Sequence, residues 1–323
     1  MPASLSPRMH PAARVYVSGH TGLVGAALMR RLQAAGYHQL ITCNREQLDL
    51  RIQGAVDTFF AATRPDFVIH AAAKVGGILA NSTQPADFIR ENLQIQLNVI
   101  EAARQYGVQR LLFLGSSCIY PRLAPQPMRE AHLMTGPLEP TNAAYAVAKL
   151  AGIQLCEAYN AQYGTHYLPV LPTNLYGPGD NFDLATSHVL PAMIRRFHEA
   201  KERGAAQVTL WGTGSPRREF LYVDDLADAV FFLLTETDAV DLINIGVGED
   251  LSIAEVANLV AEVVGYRGEL RWDASKPDGT QRKLLDVSRM SALGWRAKTG
   301  LREGVGKAYA DYLSGIEDAP NFL

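Results

Sequence analysis

"RVYVSGHTGLVGAALMRRLQAAG", residues 14–36, reads as a strand, a tight turn and a helix. A short β-branched and apolar run ends in Gly19, and Leu23 to Gly36 then carries apolar residues at helical spacing and closes on a glycine cap. Gly19, Gly22 and Gly25 spell G-x-x-G-x-x-G across the junction. Without a Cβ, the backbone can approach a pyrophosphate, and the N-terminus of the helix offers free N–H groups and partial positive charge. Three glycines alone make only a glycine-rich turn; directly after a strand and at the opening of a helix, they predict a dinucleotide site.

The same alternation continues outward: "QLITCN" (39–44), a helical pattern over 52–65, "DFVIHAAA" (66–73), a long helix from about Pro85 to Tyr106, and "VQRLLFLGSS" (108–117). Alternating strands and helices imply an α/β fold with a doubly wound parallel sheet of the Rossmann type, because right-handed crossovers put helices on both faces. After "HYLPVLPTNLYGP" (166–178) the alternation weakens. The expected organisation is a loose tail over 1–12, a dinucleotide-binding domain over 13–175 with a returning segment near 219–248, and a smaller α/β substrate lobe from 176–218 and 249–323. The site should lie in the cleft between them.

Composition narrows the function. The 323 residues are 48% hydrophobic, enough for a sizeable core, and the net charge of −3 leaves no global basic field for nucleic acid. Three cysteines, Cys43, Cys118 and Cys156, occupy neither C-x-x-C nor Cys/His ligand spacing, so no metal site or disulfide framework is expected. No stretch has 18 uninterrupted apolar residues and the N-terminus lacks an apolar signal core, so a cytoplasmic protein with a small-molecule partner is expected.

Tyr145 and Lys149 lie in "NAAYAVAKLAGIQLCEAY", where i,i+4 spacing puts both on one helix face. A nearby ammonium lowers the pKa of a phenol, making it a usable proton donor and acceptor, and Ser116 at a strand end can add a hydrogen bond to the same carbonyl oxygen. About 20 residues past the glycine turn, where an NAD site presents an acid, this chain has "NRE". Arg45 there favours NADP through its 2′-phosphate; a one-residue shift of the strand end, bringing in Glu46, would reverse that preference.

The Ser/Tyr/Lys set with this turn resembles the extended short-chain dehydrogenase/reductase superfamily. Within it, "AAAKVGGI" (71–78), "FLGSSCIYP" (113–121), "EPTNAAYAVAKLAGIQLCE" (139–157), "PTNLYGPGDNF" (172–182), "SHVLPAMIRRFHEA" (187–200) and "KPDGTQRKLLD" (276–286) are similar to the GDP-L-fucose synthase family over nearly the full chain after the tail. The resemblance implies conversion of GDP-4-keto-6-deoxy-D-mannose to GDP-L-fucose, by inversion at C3 and C5 and then reduction of the C4 ketone by NADPH. Both inverted carbons are α to that ketone, so one polarised carbonyl serves both reactions.

Inversion also needs a proton donor and an acceptor on opposite faces. Ser116 and Cys118 are two apart, so an extended backbone aims both the same way, and family analogy sets His188 opposite. Cys118 and His188 are the expected acid/base pair, with the direction left open. By itself Cys118 would read as a small buried hydrophobe.

The resemblance further implies cofactor contacts at Thr21, Leu23 and Val24 in the turn, and at Asp49 and Leu50 after the second strand. Others fall at Leu114, Gly115 and Ser117, at Pro172, Asn174 and Leu175 near the nicotinamide, and at Lys149 and His188. Arg196, Trp211, Arg218 and Asp278 correspond to substrate contacts, and Lys283 is a further cation suited to phosphate. Some family members carry arginine in the glycine turn; Thr21 cannot neutralise phosphate, so NADP preference rests more on Arg45. A homodimer through the helices near 85–106 and 143–163 is expected. The alternatives are an NAD-dependent nucleotide-sugar 4-epimerase or reductase, and a non-catalytic nucleotide sensor on the same fold.

Overall fold

The structure, a computed structural model, describes residues 6–184, 186–276 and 278–317. Six parallel strands form the main sheet: β1 (Val15–Ser18), β2 (Leu40–Ile41), β3 (Phe67–His70), β4 (Arg110–Leu114), β5 (Tyr167–Pro172) and a late strand, Ile243–Ile245, in the order β2-β1-β3-β4-β5 and then the late strand. Apart from β2 these strands are buried along their whole length, as helices on both faces require.

The helices between them are α1 (Leu23–Ala34), α2 (Gln53–Thr63), α3 (Ile78–Thr83), α4 (Pro85–Gln105) and α5 (Ala143–Tyr163). Tyr16, Val56, Phe60, Val99 and Phe113 fill one face; Val15, Val17, Leu28, Leu32 and residues of a later helix, Val223–Glu236, fill the other. The order reverses between β1 and β3, and such a switch point opens a crevice at the strands' carboxyl ends.

Beyond β5 the chain forms β6 (Asn174–Tyr176), α6 (Val189–Glu202), β7 (Gln207–Trp211), β8 (Arg217–Arg218) and β9 (Phe220–Tyr222). The helix Val223–Glu236 is α7 and the late sheet strand Ile243–Ile245 is β10. Then come β11 (Leu251–Ser252), α8 (Ile253–Val264), β12 (Glu269–Asp273), β13 (Arg282–Lys283), α9 (Ser288–Ala292) and α10 (Leu301–Glu317). A separate core of Tyr176, Leu190, Ile194, Phe197, Val256 and Val260 unites α6, α8 and α10. Small sheets β11-β8-β13, β12-β7 and β6-β9 complete this part.

Two expectations need correction. The second strand ends at Ile41, not near Asn44, because Asn44 and Gln47 exchange hydrogen bonds (Asn44 N to Gln47 Oε1 3.0 Å, Gln47 N to Asn44 Oδ1 2.9 Å) and turn the chain before Arg45. The N-terminal segment is docked from Ser6 onward. Met9 and Ala13 are buried in the core, Met9 N donates to Leu234 O at 2.9 Å, and the Ser6 hydroxyl meets His166 Nδ1 at 3.1 Å. Residues 1–5 lie outside the described residues. Among the described residues no helix is long and apolar enough to cross a membrane.

Candidate active site

Gly19 takes φ +75°, and a Cβ there would meet the backbone of Ala72 at 2.9 Å. The turn thus packs directly on the loop leaving β3. Gly22 is the N-cap of α1 with no side-chain cap, and Gly25 is buried under the turn, so backbone N–H groups at the helix start face the crevice. A Cβ on Gly25 would lie 2.6 Å from the Gly19 carbonyl carbon. This cradle leaves bare backbone where a pyrophosphate could approach. Thr21, Leu23 and Val24 belong to it, with Leu23 and Val24 opening α1.

Gly115 follows β4, and Ser116 caps a single 3-10 turn over Ser117–Ile119, its hydroxyl accepting from Cys118 N at 3.2 Å. The extended backbone expected between Ser116 and Cys118 is therefore absent; the hydroxyl cap turns the chain. Both side chains still converge on Tyr145. Both lie close enough to the phenol to shift its pKa, the Ser116 hydroxyl lowering it and Cys118 raising it.

Tyr145 and Lys149 stand one turn apart on α5, as their spacing predicts. Lys149 is buried, donating to Leu114 O at 2.8 Å, with its ammonium 4.9 Å above the Phe113 ring. Burial pushes its pKa down to about 8. The phenol shifts opposite to expectation: burial first, then Cys118, raise its pKa, and the Ser116 bond only partly opposes them. Loss of solvation outweighs stabilisation of the phenolate, so Tyr145 holds its proton.

Cys118 lies beside cations from the far segment. Lys283 Nζ is 3.9 Å from its sulfur. Arg218, half-buried, is attracted by both Cys118 and Asp278, though desolvation dominates and lowers its pKa. Lys283 therefore stands at the thiol. Asp278 accepts from Thr213 N (2.7 Å) and Thr213 Oγ1 (2.8 Å), tying its loop to the end of β7. There Trp211 is 64% exposed, with Lys276 5.6 Å from its ring centroid. Arg196 lies mid-α6, partly exposed.

His188 is the N-cap of α6, exposed at the surface, and desolvation lowers its pKa from the ordinary histidine value. The carbonyls of Thr186 and Ser187, just before it, flank Gly77, and Gly76 packs against Phe88, which meets Tyr145 edge-on at 6.4 Å. Asp49 is held by Arg51 (2.6 Å), which keeps its carboxyl down at about 2; Leu50 O accepts from Asn98. Pro172 ends β5, while Asn174 and Leu175 open β6. Asn174 spends its amide on Glu219 O (2.7 Å), a scaffold bond.

Two residues escaped the sequence reading. Asn142, before α5, reaches Cys118 O at 3.4 Å and keeps a buried Oδ1 without a partner; its place at a helix start was the available signal. Glu219 is fully buried and accepts from the backbone N–H groups of Val247 (2.6 Å), Gly248 (2.7 Å) and Leu285 (3.0 Å). It staples β9 to the segments carrying β10 and β13, and no local pattern announces it.

Comparison with known proteins agrees with this geometry. Residues 15–246 match the NAD dependent epimerase/dehydratase family. The chain is 55% identical over 305 residues to GDP-L-fucose synthase 1 of Arabidopsis thaliana, covering 94% of each chain. It is 52% identical over 309 residues to GDP-L-fucose synthase of Escherichia coli (strain K12), covering 93% of this chain and 96% of the other. A solved GDP-L-fucose synthetase from Naegleria fowleri bound to NADP superposes with a TM-score of 0.90 at 27% identity, covering 98% of this chain and 97% of the other.

Proposed function

The chain belongs to the NAD dependent epimerase/dehydratase family, and from that premise we propose that it converts GDP-4-keto-6-deoxy-D-mannose to GDP-L-fucose, epimerising C3 and C5 and then reducing the C4 ketone with NADP(H). One observation carries the reading: a thiol, an ammonium, a serine hydroxyl and a phenol meet at the end of β4. A reductase alone has no use for the thiol.

Tyr145 and Ser116 hydrogen-bond the C4 oxygen, so negative charge formed there during proton removal at C3 or C5 meets fixed donors. Cys118 and His188 exchange protons with those carbons from opposite faces. Tyr145, kept protonated by burial, then gives its proton to the C4 oxygen during reduction. Lys149, anchored on Leu114 O, fixes the position of that end of α5.

The cofactor supplies hydride when bound. The residues that would hold it are the glycine turn (Gly19, Thr21, Gly22, Leu23, Val24, Gly25), Arg45, Asp49 and Leu50 after β2, and Leu114, Gly115 and Ser117 after β4. Lys149, Pro172, Asn174, Leu175 and His188 complete the set. Trp211 offers its exposed ring to the guanine, and Arg196, Arg218 and Asp278 hold the rest of the GDP-sugar. Residues 13–175 with 219–248 act as the cofactor domain, and 176–218 with 249–323 as the substrate lobe. Incubating the purified protein with GDP-4-keto-6-deoxy-D-mannose and NADPH should yield GDP-L-fucose by NMR; a product reduced at C4 without inversion would reject the reading.

The enzyme works as a cytoplasmic homodimer through α4 and α5. Those two helices pack along each other and leave Leu97, Val147 and Tyr163 exposed, an apolar surface that a second copy would cover. Light scattering should return twice the chain mass; a concentration-independent monomer would overturn this.

A further inference from the structure

Lys74, in "AAAKVGGI", has no task in the reaction, yet it is held from every side. Its loop packs on the glycine turn, where Ala72 lies against Gly19. Buried Asn92 clamps its backbone twice, accepting from Lys74 N at 2.9 Å and donating to Lys74 O at 3.0 Å. Its ammonium lies 5.6 Å from the Phe88 ring centroid, 3.1 Å from Glu91 Oε1 and 3.9 Å from Asp87 Oδ2.

Glu91, its side chain only 10% exposed, also draws Arg51 (3.3 Å) and Arg45 (3.6 Å) to its other oxygen. Arg51 is already committed to Asp49, and Arg90, 3.9 Å from Glu91, is committed to Asp87. Arg45 is 70% exposed, and Lys74 has a single close bond, to Glu91, so its three-donor ammonium can take a further acceptor. They touch opposite oxygens of one carboxylate beyond the carboxyl ends of β2 and β3, where this fold seats the adenosine ribose.

We propose that Lys74 is a second cation for the 2′-phosphate of NADP(H), set beside Arg45 by Glu91, and a determinant of selectivity for the phosphorylated cofactor. This rests on the cofactor reading above. It answers the lack of a cation at Thr21: the charge comes from the loop after β3.

The test is calorimetric titration of the full chain with adenosine 2′,5′-bisphosphate and with 5′-AMP. Lys74→Met should weaken the bisphosphate about tenfold, the scale of one charge-assisted contact, and leave 5′-AMP within about twofold; Lys74→Arg should keep most of the preference. Equal weakening of both ligands would make Lys74 a loop anchor only, and no change would remove it from the site; either result overturns the proposal. A wild type that binds both ligands equally would sink the cofactor reading itself, and Lys74's role with it. Should the methionine variant fail to fold, Lys74→Gln carries the same comparison.

Discussion

Cys118 sits beside the Tyr145 phenol, with the Lys283 ammonium 3.9 Å from its sulfur. Cys118→Ser should reduce solvent-deuterium incorporation at C3 and C5 by at least about 100-fold, the range of a lost acid–base group, while NADPH binding stays unchanged. Undiminished incorporation would assign the proton transfers to other groups. Arg45 is judged on a different readout. Its alanine variant should raise the KM for NADPH about tenfold and that for NADH less than about twofold, since only the former brings a phosphate to the guanidinium; equal effects would mean the residue faces neither.

At the scale of elements, the turn between β1 and α1 tolerates no side chain at Gly25, because an added Cβ would lie 2.6 Å from backbone atoms of both Gly19 and His20. Backbone cannot rotate away as a side chain can. Gly25→Ala should cost about 3 kcal/mol or more, seen as a lower midpoint in denaturant, and should lose cofactor affinity with it. Gly36→Ala is the control: φ is +80° but nothing lies within 4 Å, so only the backbone penalty of about 1 kcal/mol applies and binding should survive.

The same turn was legible in the sequence because its chemistry is local. So was the i,i+4 placement of Tyr145 and Lys149. Lys283 beside Cys118 was not, since 165 residues separate the partners and no spacing rule spans that distance. The raised pKa of Tyr145 escaped for a related reason: burial depends on how α5 packs, and spacing reports only the neighbouring charge. The docked tail was missed because its prolines and scattered polar residues mask the one buried apolar side chain among its described residues, Met9.

For the molecule as a whole, Lys149 ties stability to pH. Folded, its pKa is about 8, below the ordinary lysine value of 10.5, so between these the unfolded chain binds a proton that the folded chain does not. Stability contributed through this residue therefore rises as pH increases from about 8 to 10. The difference in unfolding free energy between wild type and Lys149→Met should move in favour of wild type over that window, measured by urea titration; a flat difference would mean that the buried amine keeps an ordinary affinity for its proton.

Arg110 on β4 is wholly buried; its two terminal guanidinium nitrogens donate to the carbonyls of Thr237 and Ala239 beyond α7, while its Nε is left without a partner. The outer strand β10, which pairs with β5, arrives only at residues 243–245. A nascent chain leaving the ribosome thus holds an unfinished sheet and an unanswered cation until roughly three-quarters of it has emerged. The half built around the six-stranded sheet is born dependent on sequence that must first travel through the other half.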